Sequence, residues 1–472
     1  MDFTMNAMAL CGIIPGLLII WLKPRTAATL GGICIMAGQL LCAMMVEYDH
    51  KHIRENSKAL LFSVCVLSGQ GSIMVILACL QSLLNSQTIQ SSAVVCTCIF
   101  SYYLGGDSFI DALKQNFLPD MQFTSFVTIL AVIAFVSAVA NGVIISDSED
   151  RGGFFGKAEA LSKGIVFKTI NLYYLLILMI YTVVLIVDLE LFDMKWEAGA
   201  IALFCLVLAN LFVPLITLKM IDPDNIKSYM REPSEIEKFL SNKGEDKVIS
   251  EAASRGDFWY NCFTSFIIIG GARMLEENAE VISLGVQKTQ EEIEQAFLVF
   301  EVVGSLIAGV VLIFLRQFFR PSALLVYIII LQVFAFAIMI RPEAITFVEE
   351  PLILTVKLCA ACEGVLFVAF GVFIHEEYGT EHFGLILSIY MTAGAIGLYI
   401  LDEVFFANIT DMFKEELAIN QPYFAKYGKW NEFLFSSMTV LAVLSFFVTL
   451  YSHFRIKRSD RIAQNTLKII EF

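Results

Sequence analysis

Charged residues are scarce in this sequence. Of its 472 residues, 17% are charged and 57% are hydrophobic, whereas a soluble globular domain has about a quarter of charged residues. This composition excludes an ordinary water-soluble domain. The charges that remain are mostly acidic, with a net charge of −14. The acidic excess argues against a nucleic-acid partner, because such binding needs basic patches.

Patterns that build disulfide, metal or catalytic sites are also lacking. All eleven cysteines lie inside apolar runs, so no loop carries a stapling disulfide. Cys359 and Cys362 have the spacing of a redox or metal motif, but within a membrane helix we interpret them as small packing residues. The five histidines include no helical pair with zinc-site spacing. We therefore expect no metal, no cofactor and no enzyme activity.

A cleavable targeting segment is not visible at the N-terminus. Asp2 is acidic, and the first apolar run leads directly into Lys23-Pro24-Arg25 without a small-residue cleavage site. An Arg-rich, acid-poor mitochondrial presequence is absent as well. An internal, uncleaved signal for any organelle stays open.

Long apolar runs dominate what is present. A bilayer core of about 30 Å needs about 20 apolar residues of helix, and helices are the spanning form that satisfies the backbone in lipid. The pattern predicts an all-α polytopic membrane protein with about thirteen transmembrane helices. The fourth run is short and polar, so whether it spans fully stays open. The runs are Met5–Leu22, Thr26–Val46, Leu60–Leu84, Gln90–Leu104, Phe123–Ile145, Ile170–Leu189, Gly199–Met220, Phe258–Met274, Ala296–Leu315, Ser322–Ile340, Leu352–Ile374, Phe383–Phe406 and Phe433–His453.

Basic residues alternate with the runs in a way that predicts an orientation. They follow runs one, five, seven, nine and thirteen, which all end on one membrane face if the count is right. Cytoplasmic-type faces carry such Lys and Arg excess, and we call this the basic face. The loop His50–Arg54 is the exception. The C-terminus is expected on the basic face and the N-terminus on the opposite one.

The spacing of the runs predicts five segments. A 37-residue polar stretch between the seventh and eighth runs is the longest break, and we interpret it as a linker with an interfacial helix. The segments are a first half of five helices (1–146), an extra helix pair (147–220), the linker (221–257), a second half of six helices (258–455) and a C-terminal tail (456–472).

Short motifs in the second half resemble the major facilitator superfamily, in its nodulin-like, monocarboxylate-transporter-like branch. Gly270–Met274 with Glu277-Asn278 is similar to the end of the family's seventh helix. Gly304–Gly309 followed by a basic loop resembles the eighth helix. Glu377–Gly384 resembles the start of the eleventh helix and is the most specific match. The resemblance implies a bundle of two helical halves, as in secondary transporters.

The first half resembles the same family less closely. Gly12–Gly16 and Trp21–Arg25 are similar to the family's second helix and the loop after it, and Gly31, Gly32 and Gly38 fit the third. Ser68–Ser72 fits the glycine-rich fourth helix. This register implies that the family's first helix is missing and that the pair at Ile170–Met220 corresponds to two additional crossings.

The gating loops of the family normally pair an aspartate with arginines. This sequence keeps bases in both loops but has hydrophobic residues where the aspartate is expected, at Ile20–Leu22 and Ile313–Leu315. The gating-loop bases are Lys23, Arg25, Arg316 and Arg320. Lost acids and a missing helix favour a protein that no longer transports.

Ionisable or polar residues inside the second-half runs argue in the other direction. A central charge costs about 2.5–3.5 kcal/mol on insertion scales, so Glu363, near the middle of its run, needs a reason. It is either a proton or substrate site that faces a cavity, or a protonated or paired carboxyl that joins helices. The candidates for a cavity or coupling role are Glu363, Lys357, Arg273, Glu277, Asn278 and Glu301.

Two hypotheses follow from these residues. The first is a transporter-derived accessory subunit, packed with other membrane subunits and lipid in a larger complex, such as an energy-transducing complex of the mitochondrial inner membrane. The second is an active secondary transporter of a small organic anion or amino acid, with Glu363 and Arg273 as coupling and binding groups.

Overall fold

The computed structural model describes residues 12–47, 51–85, 89–106, 120–144, 249–283, 290–315, 319–341, 351–413 and 429–470. Every regular element among these residues is helical. Seven of the described helices are long and apolar enough to cross a membrane. The protein therefore has the all-α, polytopic membrane architecture that the composition predicts.

Four helical elements are described in the first half. We number the helices in chain order as α1 (Ile13–Glu47), α2 (Lys51–Asn85), α3 (Ile89–Leu104) and α4 (Phe123–Ile144). The long α1 is interrupted at Lys23, which has a φ of 62° and a ψ of 156°. The residue before a proline favours such an extended ψ, and Pro24 follows directly.

The chain reverses its direction at Lys23. Before it, Gly12 lies beside Ile73 of α2, and Ile19 lies with Gln81 around Gly384, so this limb runs parallel to α2. After it, a Cβ at Gly31 would lie 2.7 Å from the Gly71 carbonyl oxygen, and one at Gly38 would lie 3.0 Å from the Ser68 amide nitrogen. The second limb is thus antiparallel to α2. The two limbs match the first two predicted runs as separate crossings.

The described helices of the second half continue this numbering. Its elements are α5 (Ile249–Ser254), α6 (Gly256–Glu277), α7 (Ala279–Ser283), α8 (Gln290–Phe314), α9 (Pro321–Ile340), α10 (Pro351–Tyr378), α11 (Phe383–Tyr399), a π-helical segment (Ile400–Phe406), α12 (Ala407–Met412) and α13 (Lys429–Ile470).

Eleven of the thirteen predicted runs coincide with described helices, the first of them from Ile13 onward. The runs Ile170–Leu189 and Gly199–Met220 and most of the predicted linker lie outside the described residues. The total of thirteen crossings, the five segments and the missing first helix therefore stay predictions. The fourth run forms α3, which has 16 residues.

Glycines allow helices of the second half to cross at backbone contact. A Cβ at Gly304 of α8 would meet the backbone of Ala361, and a Cβ at Gly364 of α10 would meet the carbonyl of Glu301. Gly270 and Gly397 make the same close approach between α6 and α11. Small residues of this kind are the usual means of close helix packing in lipid, where no hydrophobic effect drives helices together.

The two halves meet along α3 and the first limb of α1. The Oγ atoms of Ser101 and Ser305 are 2.5 Å apart, and the rings of Phe100 and Phe367 stack with 5.5 Å between centroids. The amide of Gly12 donates a 3.0 Å hydrogen bond to Thr392 of α11. The helix α3 is therefore buried between α8 and α10 rather than exposed to lipid, which explains its many polar residues.

Replacing Gly304 or Gly364 by leucine is expected to lower the free energy of unfolding by about 1–3 kcal/mol or more, because backbone atoms cannot yield to a new side chain. Thermal unfolding of the detergent-purified protein measures the change. Gly106, which has nothing within 4 Å of its Cβ position, supplies the control substitution. Equal effects of leucine at all three positions would contradict the crossing.

Candidate functional site

The crossing of α8 and α10 brings two buried carboxylates together. Glu301 lies one turn before Gly304, and Glu363 directly precedes Gly364. Both side chains are buried, with 1% and 0% of their surfaces exposed. Because the glycines place the two backbones in contact, the two carboxylates face the same space between the helices.

Arg273 of α6 joins these carboxylates. Its Nε donates to Glu363 Oε1 at 2.8 Å, and its Nη2 donates to Glu301 Oε1 at 2.6 Å. Its Nη1 donates to Glu276 Oε2 at 2.8 Å, one turn along the same helix. We call Arg273, Glu276, Glu301 and Glu363 the carboxylate cluster. It connects α6, α8 and α10 with three charge-assisted hydrogen bonds, which are the strong kind.

An aromatic ring covers one face of the guanidinium. The Arg273 Cζ lies 5.0 Å from the centroid of Phe297, in cation–π geometry. The Arg273 and Glu276 side chains keep 12% and 13% of their surfaces exposed, whereas Glu301 and Glu363 are buried. The cluster is therefore closed on the side of α8 and α10 and partly open on the side of Arg273 and Glu276.

The formal charges of the carboxylate cluster do not balance. Three carboxylates surround one guanidinium, which leaves a net charge of −2 when all are ionised. The Oε2 atom of Glu363 is buried and has no hydrogen-bond partner among the described residues. An unpartnered buried acceptor costs about 1–3 kcal/mol, and an uncompensated buried charge costs more. A proton on one carboxyl removes part of both costs, so the cluster has the chemistry of a proton-binding site.

Three of the six residues predicted for a coupling role meet in this cluster: Arg273, Glu301 and Glu363. Lys357 lies six residues before Glu363 on α10, about 9 Å along the helix, with its Nζ 5.1 Å from the ring centroid of Phe300. Glu277 is half-buried at the last position of α6. Lys357 and Glu277 therefore lie beside the cluster, toward the end of the bundle opposite the basic face.

Asn278 takes part in a different contact. Its side-chain amide donates to Asp402 Oδ1 at 2.5 Å and to the carbonyl of Met274 at 2.9 Å. It therefore ends α6 and ties that end to the π-helical segment. This role is structural capping, next to the cluster along the chain.

Sequence reasoning left Glu276 and Phe297 out of the candidate set. Glu276 is three residues after Arg273, a spacing that places two side chains on one helical face, so the signal for an ion pair was available. Phe297 is one of 40 phenylalanines and carries no local signal. Its contact with Arg273 depends on how α6 and α8 pack.

The predicted gating-loop bases lie at chain turns. Lys23 occupies the reversal in α1, Arg25 begins the second limb, and Arg320 precedes the first turn of α9. Arg316 lies outside the described residues. Their gating role stays a prediction.

A second ion cluster, which the sequence did not indicate, lies at the basic face. Arg255 Nη2 is 3.3 Å from Asp257 Oδ2 and 3.6 Å from Glu377 Oε2, and Arg455 Nε is 3.9 Å from Asp257 Oδ1. The Arg255 guanidinium also lies 5.5 Å from the Tyr378 ring centroid. These contacts join the start of α6, the end of α10 and α13. The cluster ties the helices of the second half together at the face opposite the carboxylate cluster.

Comparisons with known proteins identify the fold. No family model matches the sequence, and no curated protein matches it. The solved structure of the proton:xylose symporter XylE, a major facilitator superfamily protein, superposes with a TM-score of 0.54 at 9% identity, over 95% of this chain and 84% of that one. The E. coli fucose:proton symporter FucP matches with a TM-score of 0.43 at 14% identity, over 94% and 90%.

A peptide transporter of the POT family matches with a TM-score of 0.48 at 14% identity, over 97% of this chain and 87% of that one. The XylE superposition shows that this chain has the fold of major facilitator transporters, as its motifs predicted. At 9% identity it shows the fold alone. The nodulin-like branch stays a prediction.

Removing the Arg273 guanidinium is expected to destabilise the protein strongly. Arg273→Met leaves Glu301 and Glu363 buried without a partner, and breaking a buried pair in this way costs about 3–5 kcal/mol. Arg341→Met is the matched control, because its pair with Glu432 at 3.5 Å is exposed, and such pairs contribute at most about 1 kcal/mol. Thermal unfolding in detergent compares the two variants.

A further variant shows whether Arg273→Met loses stability through uncompensated charge or through lost packing. Adding Glu301→Gln and Glu363→Gln to Arg273→Met removes the uncompensated charges, so much of the stability is expected to return. A triple variant no more stable than the single one would show that packing, not charge, holds the site together.

Proposed function

We propose that this protein is a secondary transporter of a small solute in which the carboxylate cluster binds and releases the coupling proton. The observation that carries the proposal is the buried, partly unpartnered Glu363 carboxylate, held by Arg273 together with two further acids. Ionisable groups inside membrane helices mark ion pathways and proton relays, because their burial is costly without a function.

The charge of the cluster favours a proton over an anionic solute. Each proton that the cluster takes up brings its net charge of −2 closer to zero. A carboxylate solute at short distance would instead make the local charge more negative. Of the solutes predicted from the sequence, a small organic anion therefore fits this site poorly. An amino acid fits better, since its ammonium group can pair with a carboxylate. The solute itself stays a prediction.

The position of the cluster suggests how proton binding could reach the interface between the halves. Glu301 is one turn from Ser305, and Glu363 is one turn from Phe367. Ser305 and Phe367 both contact α3 of the first half, through Ser101 and Phe100. A proton on Glu363 weakens its bond to Arg273 and thereby loosens α6 from α10. Such a change next to the α3 contacts is suited to the rocking of one half against the other.

The accessory subunit is the second candidate. It is favoured by the fact that the hydrogen bonds from Arg273 to Glu363, Glu276 and Glu301 all join residues of one half, as expected of a static brace between helices. A brace of this kind needs no proton exchange and no solute. The proteins that co-purify with this chain would then show whether it belongs to a mitochondrial or other energy-transducing complex.

Uptake into proteoliposomes under an imposed pH gradient separates the candidates. A panel of radiolabelled amino acids, monocarboxylates and sugars supplies the probes. We expect one class to accumulate in the wild type, and Glu363→Gln to abolish gradient-driven accumulation while exchange of that solute across the membrane continues, because exchange needs no net proton transfer.

Glu432→Gln is the control, since this exposed carboxylate lies outside the cluster and pairs only loosely with Arg341. Accumulation by Glu363→Gln at the wild-type rate would exclude a coupling role for the cluster. Absence of uptake for the whole panel, with stoichiometric co-purification of a large membrane complex, would favour the accessory subunit.

A further inference from the structure

Helix α13 is longer than a membrane crossing. Its 42 residues extend about 63 Å at about 1.5 Å per residue. The 30 residues from Lys429 to Arg458 have the composition of a membrane span, and they extend about 45 Å, which is close to the thickness of a bilayer with its headgroups. Arg458 therefore lies at the depth of the headgroups on the basic face, and the helix continues beyond the membrane to Ile470.

One side of α13 is exposed along the span. Its exposed large apolar residues recur at intervals of three, four or seven positions, which places them within an arc of about 80° on one side of the helix. The other side is buried against α6 and α9, with Ala442 and Ser445 fully buried. The exposed residues, which we call the lipid-facing stripe, are Phe433, Val440, Leu444, Phe447, Tyr451 and Phe454.

Arg458 continues the lipid-facing stripe. It lies about one helical turn after Phe454 and about five turns after Val440, so the helix presents it on the same side, and its side chain is exposed. Tyr451 packs edge-on against Tyr260 of α6, with 5.7 Å between ring centroids. Exposed tyrosines of this kind are enriched where the membrane meets water. A lipid whose acyl chains lie along the stripe would therefore have its headgroup next to Arg458.

Two further bases lie between Arg458 and the start of α9. Ser322 Oγ, in the first turn of α9, is 3.0 Å from His453 Nδ1, and this contact joins α9 to α13. Lys457 is about one turn after His453, and Arg320 is two residues before Ser322. Both bases are exposed, and both lie on the outer side of the contact, at the same end of the two helices as Arg458.

Acidic residues are lacking on these two helices near the basic face. The sequence contains none in 302–342 and none in 433–459. On the α6 side of the stripe, Arg455 Nε lies 3.9 Å from Asp257 Oδ1. Among the described residues, no carboxylate forms an ion pair with Lys457 or Arg458. The positive charge of these two side chains is thus available to an anion from the membrane.

We propose that Arg320, Lys457 and Arg458 bind the headgroup of an anionic phospholipid whose acyl chains lie along the lipid-facing stripe of α13. Lys and Arg clusters that directly follow a membrane helix attract anionic lipid, and each base strengthens this binding about five-fold. The guanidinium groups suit the phosphate, because they form paired hydrogen bonds with its oxygens. A free phosphate ester could use the bases but not the apolar stripe, so the combination fits a lipid.

Photo-crosslinking to lipid tests the proposal. Benzoylphenylalanine replaces Phe454 at the basic end of the stripe or, as the positional control, Phe433 at the other end, where the acidic Glu432 adjoins it. The full-length protein is reconstituted in vesicles of equal amounts of dioleoylphosphatidylcholine and dioleoylphosphatidylglycerol, which share the same acyl chains. Mass spectrometry measures the ratio of the two lipids among the adducts.

We expect phosphatidylglycerol to exceed phosphatidylcholine about five-fold or more in the adducts at Phe454, and to show no such excess at Phe433. The same ratio at both positions would overturn the proposal. Adducts at Phe454 with a second copy of the chain, in place of lipid, would overturn it as well.

Charge-removing substitutions identify the bases. Lys457→Gln combined with Arg458→Gln is expected to remove most of the excess at Phe454, whereas Arg458→Lys, which keeps the charge, retains much of it. The matched control is Lys429→Gln combined with Arg341→Gln, which removes two exposed charges at the opposite face and is expected to leave the ratio unchanged.

Size-exclusion chromatography selects the folded variants, and Arg458→Gln alone provides a second variant of reduced charge. An unchanged lipid ratio after loss of these bases would contradict the proposal, and so would an equal loss in the control, which would indicate attraction by overall charge. The readout needs no transport, so the result is independent of whether the carboxylate cluster couples protons to a solute.

Discussion

The structure depends on a guanidinium that cannot be left alone in an apolar interior. Arg273 forms ion pairs with carboxylates from α6, α8 and α10 at 2.6–2.8 Å, and each of these charges would be costly without the others. The three helices must therefore stay in register with one another. The glycines Gly304 and Gly364 make that register sterically accessible, because they let α8 and α10 touch at the level of the two buried acids.

The same cluster stands one turn from the contacts between the halves. Ser305 and Phe367 lie on the helices that carry Glu301 and Glu363, and both contact α3. At the basic face, Arg255 and Asp257 tie the other end of α6 to α10 and α13. The helix α6 is thus held by ion pairs at both ends, and an excess of negative charge is present at one of them, the carboxylate cluster. In a transporter this would be the more adjustable end.

The candidate site was partly predictable, for a simple physical reason. A charged residue inside an apolar run is conspicuous because lipid penalises it, which is why Arg273, Glu301 and Glu363 were identified before the structure. The pairing of Arg273 with Glu301 and Glu363 was not predictable, since these residues come from helices separated by many residues, whereas its pairing with Glu276 follows from their spacing on one helix. Asn278 was selected because the Glu277-Asn278 pair resembles the end of the family's seventh helix, but it caps α6 against Asp402. Phe297 was missed because an aromatic residue in an apolar run is unremarkable in sequence.

The sequence by itself determined that this chain is an all-α protein of many membrane crossings, since hydrocarbon imposes a length and a composition on every spanning segment. It also indicated the major facilitator fold through glycines at helix crossings and the motif at Glu377–Gly384. Only the tertiary structure decided that the short, polar α3 is buried between the halves. It also decided that three acids share one arginine. These features result from packing between segments that are distant in the chain, and local sequence composition does not determine which helices pack together.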